Sequence, residues 1–286
     1  MTLLRTENRQ AEPFAPLLES RQCAHGDVLG RLGSLVVRLA RNAEEIDAAQ
    51  ALRHRVFSIN NRANSDHYGR DVDRFDAYCD HLVVIDTALG GAIGSRIVGT
   101  YRLLREEQAL IAGGFYSQNE FDIAGLAARM PARRILELGR SCVLPHYRTR
   151  RTVELLWQGI WACCRQWSID IMCGCASFPG TNPALHALPL SYLYHVALAT
   201  GPWLVKGHAS KHVNMDLMPS EAVNERFALL AMPPLIKGYL RVGAIFGDCA
   251  VVDHEFGTTD VFVVLPVEQI TPRYLAHFSV DASRFA

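Results

Sequence analysis

The sequence predicts one α/β domain, and three features of the chain support this fold class. Strand-like apolar runs alternate with helix-like periodic stretches over most of the 286 residues. About half of the residues (49%) are hydrophobic and 20% are charged, which is typical of a globular protein with a substantial core. No repeat, low-complexity tract or convincing linker divides the chain. We therefore predict a loosely ordered N-terminal lead-in at residues 1–33, which lacks sustained periodicity, and a single domain at residues 34–286.

The charge balance argues against a partner that is bound through a general electrostatic field. Lys plus Arg and Asp plus Glu both number 29, so the net charge of zero gives no reason to expect nucleic acid. The N-terminus lacks the apolar core of a signal peptide. The longest apolar runs are shorter than the roughly 18 residues that a membrane span needs. We therefore expect a cytoplasmic protein that does not cross a membrane.

The cysteine and histidine patterns predict no metal site. The eight cysteines include no CxxC pair, and in a reducing compartment they are expected to be small buried apolar residues. His208 and His212 have a spacing that can bind zinc from a helix, but no glutamate follows His208 as the HExxH motif requires.

The first half of the domain is predicted to be a strand, a helix and three further strands. The helix has Ile46, Ala49, Leu52 and Phe57 near one face. A glycine-rich break at residues 90–94 predicts a hairpin turn between two of the strands. In chain order the predicted elements are a strand at 34–39, a helix at 43–57, and strands at 81–86, 96–105 and 134–144.

The second half is predicted to continue with a helix, a buried strand and a C-terminal α/β extension. Residues 151–167 carry apolar side chains at helical spacing, and residues 169–178 are apolar enough for a strand that is buried on both faces. Asn182 and Pro183 fit an N-cap and a first helical position, for a helix to about residue 197. The extension combines a helix at 234–243 with strands at 250–253 and 260–265.

Three arginines crowd the junction between the strand at 134–144 and the helix that follows it. A helix start presents free backbone N–H groups and the positive end of the helix dipole, which together favour an anion. Arg148, Arg150 and Arg151 could add forked hydrogen bonds to phosphate oxygens. A solvated basic turn beside surface acids is the alternative, and the local pattern alone does not separate the two.

The order of elements resembles the Gcn5-related N-acetyltransferase (GNAT) fold, whose phosphate-binding turn lies between its fourth strand and the next helix. This resemblance implies a mixed central sheet flanked by helices, here with a C-terminal α/β extension. The usual turn of that family contains glycines, whereas "PHYRTRR" has none. The departure argues against ordinary coenzyme A. It favours the single phosphate of the phosphopantetheine arm on acyl carrier protein.

Longer segments resemble two families of N-acyltransferases. "LRHRVF", "DVDRFDAYCDHLVV" and "GTYRLLR" are similar to acyl-homoserine lactone synthases. Further segments resemble the ornithine Nα-acyltransferases of bacterial ornithine-lipid synthesis, which are sometimes labelled haemolysin-like: "GGFYSQNEFD", "LELGRSCVLPHYRTRRTVELLWQGI", "CASFPGTNPALHA", "PPLIKGYLRVGA", "FGDCAVVDHEFGTTDVFVVLPV" and "YLAHF". The match spans roughly residues 45–278. It implies transfer of a 3-hydroxyacyl chain from acyl carrier protein to L-ornithine, giving lyso-ornithine lipid, with the acyl-phosphopantetheine as co-substrate and no other cofactor.

Glu137 is the candidate general base. A carboxylate within the apolar strand "ILELG" is costly unless it faces a polar site, and burial would raise its pKa toward a useful range. A structural salt bridge to Arg102 or Arg140 is the alternative. If the strand bulges as in the acetyltransferase fold, the thioester oxyanion is expected to be stabilised by backbone N–H groups near Ser141, Cys142 and Val143. Cys142 could instead be a nucleophile, but no histidine is obviously paired with it.

An amino-acid acceptor needs arginine for its carboxylate and aspartate for a side-chain ammonium. A solvated acidic loop is the alternative for the aspartates. The stretch faintly suggests calcium binding, but it lacks the glycine and the terminal glutamate of an EF-hand loop. Trp157, Trp161 and Phe178 could line an acyl slot, although each could equally be core. The candidate acceptor-binding residues are Arg55, Asp71, Asp73, Asp76, Arg102 and Arg140.

Other functions remain open at this point. The enzyme could be a signal synthase that cyclises its product, or could acylate another amine. A non-catalytic module that docks acyl carrier protein or a membrane is the alternative outside enzymes. Because the expected product carries a long acyl chain, we also expect peripheral contact with the inner face of the membrane.

Overall fold

The protein forms one nine-stranded mixed sheet in a computed structural model, which describes residues 28–58 and 69–270. The strand order is β1-β2-β3-β4-β5-β6-β9-β8-β7, and every neighbouring pair is antiparallel except β5 and β6. The strands are β1 Gly30–Leu32, β2 Leu35–Leu39, β3 Asp80–Asp86, β4 Ile97–Arg105, β5 Ile135–Val143, β6 Ile171–Pro179, β7 Val213–Asn214, β8 Ile245–Asp253 and β9 Thr258–Pro266. This sheet confirms the predicted α/β class.

Helices cover both faces of the sheet. Helix α5 packs against β1 to β4 on one face, together with apolar side chains of α6 and α8, and α1 packs against β3 to β5 on the other. The α-helices are α1 Ala43–Phe57, α2 Ile93–Arg96, α3 Glu106–Ile111, α4 Ile123–Arg129, α5 Arg150–Gln166, α6 Ala187–Ala197, α7 Glu225–Ala231 and α8 Pro234–Arg241. Short 3₁₀ turns lie at Arg74–Ala77, Tyr116–Asn119, Pro145–Tyr147, Pro183–His186, Gly201–Trp203, Ser220–Ala222 and Val267–Gln269.

Helix α1 begins and ends where the sequence predicts. Asn42 caps its N-terminus, because the side chain accepts a hydrogen bond of 3.0 Å from the backbone N–H of Glu45. Ala49 and Leu52 are buried on the face toward the sheet, in line with the apolar periodicity. The helix therefore presents a fixed face to β4 and β5, where the candidate site lies.

Strands β5 and β6 pair over only three positions and then separate. Ile135, Leu136 and Glu137 are in register with β6, and the next residues of β5 have no partner on that strand. Gly174 of β6 has a φ of 152°, and a Cβ there would lie 2.2 Å from the carbonyl oxygen of Leu138. Only glycine therefore fits at the point where the two strands part. A gap opens between them on the C-terminal side of Glu137.

A β-bulge lies in β5 beside this gap. Thr100 pairs with Cys142 and Arg102 pairs with Gly139, so Arg140 and Ser141 both lie opposite the single residue between the two on β4. Arg140 has a φ of 50°, which costs a non-glycine residue about 1–2 kcal/mol. The bulge lies next to the residues from which the sequence predicts oxyanion donors.

The structure differs from the predicted elements mainly at short segments. The predicted helix after Asn182 is a 3₁₀ turn followed by α6, and α3, α4 and α7 were not predicted because helices of six or seven residues show little periodicity. Strand β1 lies inside the predicted lead-in. Residues 1–27 and 271–286 lie outside the described residues, as does the "YLAHF" segment, so the proposed domain boundary stays a prediction. No helix in the described ranges is long and apolar enough to cross a membrane.

Candidate active site

Three arginines and three aspartates meet on the α1 face of the sheet, next to the gap between β5 and β6. Arg53 is fully buried in α1 and donates to Asp71 Oδ2 at 2.7 Å and to Asp76 Oδ1 at 2.7 Å. Arg102 of β4 donates to Asp73 Oδ1 at 2.7 Å. We call this group the arginine–aspartate cluster. Its members are Arg53, Arg102, Arg140, Asp71, Asp73 and Asp76.

Each aspartate of the cluster already has an arginine partner. Asp73 caps the turn Arg74–Ala77 in a reciprocal capping box with Asp76, which fixes the loop against the sheet. Burial raises the pKa of Asp76, but the charges of Arg53 and Arg102 together outweigh it, so the pKa lies below its ordinary value. Asp76 is therefore ionised, and all three carboxylates contact arginines within the cluster rather than facing an open cation site.

Arg140 is the most open arginine of the cluster. It donates to Asp71 and to Asp73 at 3.2 Å each, and to the Tyr116 hydroxyl at 2.7 Å. Its guanidinium carbon lies 4.8 Å from the centre of the Tyr116 ring and 4.5 Å from that of Phe256. Three hydrogen bonds and two ring contacts thus hold Arg140, whose backbone position is strained, which is a frequent property of functional sites.

Glu137 is buried in β5 and binds a neighbouring loop through its carboxylate. It accepts hydrogen bonds from the backbone N–H groups of Tyr116 at 2.6 Å and Ser117 at 2.9 Å. Burial raises the pKa of Glu137 above its ordinary value, although the Ser117 hydroxyl and these N–H groups act in the opposite direction. In the described residues it forms no ion pair with Arg102 or Arg140, so the alternative of a salt bridge is not what the structure shows.

The segment around the bulge contains the other predicted catalytic residues. The Ser141 hydroxyl forms a hydrogen bond with the hydroxyl of Tyr101, which lies 3.1 Å from that of Tyr239 in α8. Val143 pairs with Gly99 and is half-buried. The Cys142 thiol is buried, with Sγ 4.0 Å from the Leu52 carbonyl oxygen. Because burial raises the pKa of Cys142 to about 12, the thiol is protonated and unsuited to a nucleophilic role.

The three arginines at the start of α5 are exposed and point to different places. Thr149 caps the helix, so Arg148 precedes the cap while Arg150 and Arg151 occupy the first two helical positions. Arg148 donates to the Val143 carbonyl at 3.1 Å, and Arg150 donates to Glu154 at 2.6 Å. An Arg151 guanidinium nitrogen approaches the β1–β2 turn at Gly33. The sequence correctly places these cations at the helix start, and their role in binding stays a prediction.

The aromatic candidates for an acyl slot lie on the α5 face of the sheet. Trp157 packs edge-to-face on Tyr239 with ring centres 5.5 Å apart, and Trp161 is half-buried against the same core. Phe178 is completely buried, with its ring centre 5.0 Å from that of His186.

His208 and His212, whose spacing was not expected to form a zinc site, have different neighbours. His208 Nε2 lies 2.8 Å from the Gln118 carbonyl oxygen, while His212 lies near Asp248 and Cys249, with ligand atoms within 4.8 Å of one another. Burial raises the pKa of the Cys249 thiol to about 12.

Comparisons with known proteins identify the family. The acetyltransferase (GNAT) domain family matches residues 52–158. Among solved structures, FeeM, an N-acyl amino acid synthase from uncultured soil microbes, aligns over 84% of this chain and 97% of that chain, with a TM-score of 0.43 and 12% identity. An L-ornithine N(alpha)-acyltransferase of Brucella abortus is 54% identical over 94% of this chain and 99% of its own length. The protein of the same name from Agrobacterium fabrum is 55% identical over 95% of this chain and 94% of its own length.

This chain belongs to the L-ornithine N(alpha)-acyltransferase family. A more distant member, from Rhodobacter capsulatus, is 40% identical over 84% of this chain and 93% of its own length. The acetyltransferase match covers both the arginine–aspartate cluster and the start of α5, while β6 to β9 follow it in the chain. The protein is therefore an N-acyltransferase, and the family predicted from sequence segments is confirmed.

One residue of this acyltransferase's cluster was predicted at the wrong position on α1. Arg55, the predicted acceptor-binding residue, is exposed and pairs with none of the three aspartates, whereas Arg53 binds two of them. The physical reason is helical periodicity. Arg53 is four residues after Ala49 and so shares its buried face, while Arg55 points to the opposite side. That spacing could have identified Arg53 from the sequence.

Proposed function

We propose that this acyltransferase transfers a 3-hydroxyacyl chain from acyl carrier protein to the α-amino group of L-ornithine, forming lyso-ornithine lipid. This is the first step of ornithine-lipid biosynthesis. The names of the curated relatives support the acceptor. The observation that carries the proposal is the gap between β5 and β6, which has Arg140 on its rim and Glu137 at its base.

The reaction needs one amine, one thioester and one base. The α-amine attacks the thioester carbonyl carbon, so a C–N bond forms while the C–S bond breaks. The amine loses a proton, and the phosphopantetheine thiolate leaves and takes one up. An α-amino group titrates at about 8 in peptides, so a carboxylate base is sufficient near neutral pH.

Glu137 is the proposed base. A carboxylate can accept about four hydrogen bonds, and the Tyr116 and Ser117 segment occupies three positions through two N–H groups and a hydroxyl. The remaining position can accept a hydrogen bond from a water that relays the proton from the amine. The raised pKa of Glu137, caused by burial, makes it a stronger base than an exposed glutamate.

The bulge in β5 is the proposed oxyanion site. An extra residue in a bulge is left out of the regular ladder, so backbone N–H groups between Ser141 and Val143 can point toward the thioester oxygen. Cys142 contributes only its backbone in this proposal, because its buried thiol faces Leu52.

Arg140 is the proposed ligand of the acceptor carboxylate. Its two bonds to the aspartates are long, at 3.2 Å each, and its side chain, 11% exposed, is the most accessible of the three arginines. A forked guanidinium suits a carboxylate. Arg53 and Arg102, with Asp71, Asp73 and Asp76, are proposed to hold Arg140 in place rather than to bind the acceptor directly.

The donor is proposed to bind at the start of α5, on the other side of the gap. The phosphate of the pantetheine arm would lie at the helix start, near Arg148 and Arg151, and the acidic carrier would contact Arg150. The acyl chain would run along the aromatic side chains of the α5 face, near Trp157 and Trp161. The amphiphilic product supports a peripheral contact with the inner membrane surface, which sedimentation with lipid vesicles would test.

The test is to incubate pure protein with 3-hydroxyacyl carrier protein and a panel of free amines, and to weigh the products by mass spectrometry. The proposal expects the hydroxyacyl-ornithine mass as the main product. A lactone mass would indicate a signal synthase, and a main product from another amine would change the acceptor. No product from any amine would favour a docking module and contradict the proposal.

A further inference from the structure

Ornithine carries a side-chain ammonium that needs its own acidic partner. The aspartates of the arginine–aspartate cluster do not suit this role, because each is bonded to at least one arginine. A carboxylate that recognises the ammonium should instead lack a cation partner within the protein and should lie across the gap from Arg140.

Asp260 of β9 is such a carboxylate. Its side chain is buried, at 7% relative exposure, and its Oδ1 atom has no hydrogen-bond partner among the residues that the structure describes. The hydroxyls of Ser177 and Thr258 lie close enough to stabilise its charge, and the charged groups with the largest effect on it are two further acids, Asp253 and Glu120. A buried carboxylate with one unpaired oxygen and a raised pKa costs stability, and this cost needs an explanation.

The register of the sheet places Asp260 on the same face as Glu137. Glu137 pairs with Cys173, and on β6 the residues Cys173, Cys175 and Ser177 alternate onto one face. Ser177 pairs directly with Asp260, so both side chains point to that face. The Cys175 thiol confirms the direction, because its Sγ donates to Ser117 Oγ at 3.2 Å beside Glu137.

The same register places Asp260 opposite Arg140 across the gap. On β5, Arg140 lies three residues after Glu137. On β6, the partner of Glu137 is Cys173, and the partner of Asp260 is Ser177, which lies four residues after Cys173. Their heights in the sheet differ by about one residue, or roughly 3.3 Å. Two strand spacings give a lateral separation of roughly 10 Å, which the gap increases. Phe256, in the turn before β9, contacts the Arg140 guanidinium and so connects the two sides.

The positions next to Arg140 and Asp260 are not closely packed. A Cβ built at Gly139, next to Arg140, would meet no atom within 4 Å. Ser177 is exposed and Cys175 is half-buried, so no helix in the described part of the chain seals this end of β6. An amino acid bound by Arg140 through its carboxylate would extend its propyl side chain toward β9.

We propose that Asp260 binds the side-chain ammonium of the acceptor and selects a dibasic amino acid for acylation. This inference rests on the proposed function and identifies its specificity-determining residue. Arg140 and Asp260 bind opposite ends of ornithine, which leaves the α-amine directed at the thioester. The acids Asp253 and Glu120 add negative potential on the β9 side, although Lys211 lies 3.5 Å from Glu120 and partly offsets it.

The ionisation of Asp260 agrees with this role. Burial raises the pKa of Asp260 to about 6, and the nearby acids add to the shift. The carboxylate is therefore mostly ionised at neutral pH but poorly stabilised, and a bound ammonium would supply the missing partner. A site built for such a group discriminates strongly against an analogue that lacks it.

The test compares ornithine with norvaline, the same amino acid without the terminal amine, in wild-type protein and in Asp260→Asn. Asp260→Asn is expected to lower kcat/KM for ornithine by roughly 100-fold, and to leave that for norvaline within about threefold. In Asp260→Asn, the ratio of kcat/KM for ornithine to kcat/KM for norvaline should then approach one. Asp47→Asn, which removes an exposed carboxylate on α1, is the matched control and should keep the wild-type ratio.

A second variant separates recognition from folding. Asp260→Glu keeps the charge on a longer side chain, so it should restore the preference for a cationic acceptor and shift it toward the shorter diaminobutyrate. Melting temperatures should establish that each variant is folded. An equal loss of activity with ornithine and norvaline in Asp260→Asn would indicate a structural role and overturn the inference. Wild-type protein that acylates both amino acids equally well would also overturn it, whereas failure to acylate ornithine at all would overturn the proposed function first.

Discussion

The Arg140 guanidinium donates to the Tyr116 hydroxyl at 2.7 Å and lies over the ring of the same residue. The backbone N–H of Tyr116 donates in turn to Glu137, three residues before Arg140 on β5. One tyrosine therefore connects the proposed acceptor ligand to the proposed base. A change at any of the three is expected to affect both binding and turnover, and variants need separate KM and kcat values.

Glu137→Gln is expected to lower kcat by roughly 100-fold or more, because the amide cannot take up a proton. It should also lower the free energy of unfolding by about 1–3 kcal/mol, since its NH₂ group cannot accept from the loop N–H groups. Steady-state rates and denaturant unfolding measure the two effects. Glu106→Gln is the control, since Glu106 also accepts from a β5 N–H, at 3.4 Å, and should keep near-normal turnover. Near-normal turnover of Glu137→Gln at every pH would remove Glu137 as the base.

Arg53→Met is expected to lower the free energy of unfolding by about 3–5 kcal/mol, because Asp71 and Asp76 lose their shortest ion pairs while partly or fully buried. The matched variant Arg55→Met, two residues away on the exposed side of α1, should change it by at most about 0.5 kcal/mol. Urea denaturation followed by circular dichroism gives both values. Equal effects in the two variants would show that the cluster does not depend on Arg53.

Replacement of Arg148, Arg150 and Arg151 by alanine is expected to raise KM for acyl carrier protein far more than KM for ornithine. Charge attraction raises the association rate and is screened over about 8 Å at physiological ionic strength. The wild-type KM for the carrier should therefore rise with salt, and that of the triple variant should rise less. A charge-matched control replaces Arg226, Lys237 and Arg241, which lie on α7 and α8. Unchanged carrier affinity and salt dependence in the triple variant would leave the arginines as a solvated turn.

The preference for ornithine over norvaline is expected to fall as the pH falls through about 6, where Asp260 takes up a proton. The groups facing this carboxylate are the Ser177 and Thr258 hydroxyls and the acids Asp253 and Glu120. Proton loss from the α-amine affects both substrates alike, so the ratio of their kcat/KM values isolates Asp260. The ratio should be flat in Asp260→Asn, and a wild-type ratio without pH dependence would contradict the assignment.

The free energy of unfolding should also depend on the ionisation of Asp260, and it should fall as the pH rises. The folded pKa of Asp260 is raised above its ordinary value of 3.8, so the folded protein binds the proton more tightly than the unfolded chain does. Ionisation of Asp260 therefore lowers stability as the pH rises from about 4 through about 6. Asp260→Asn should remove this decrease, which melting temperatures across that range would measure.

Much of the framework could be predicted from the sequence because its elements are long. Helix α1 matches its predicted bounds, and β3, β4, β5 and α5 match within one residue at each end, since each has enough residues to show a period. The short helices α3, α4 and α7 have no such signal. Strand β1 is three residues long, and it forms only because β2 provides a partner.

The site was only partly predictable, because residues that are far apart in the sequence can lie close together in the fold. Glu137, Arg140 and the aspartates were singled out as polar residues in unusual surroundings, and the fold brings them together. Asp260 lies more than a hundred residues later, and only the pairing of β9 with β6 places it at the gap. Sequence alone could not give that strand order, since β9 is inserted between β6 and β8.

The most direct test of the proposed reaction is the position of the acyl group on the product formed from ornithine and 3-hydroxyacyl carrier protein. Fragmentation of that product by tandem mass spectrometry distinguishes the two nitrogens. With Arg140 on the carboxylate and Asp260 on the side-chain ammonium, only the α-amine faces the thioester, so the account predicts acylation at the α nitrogen. Acylation at the side-chain nitrogen would contradict it.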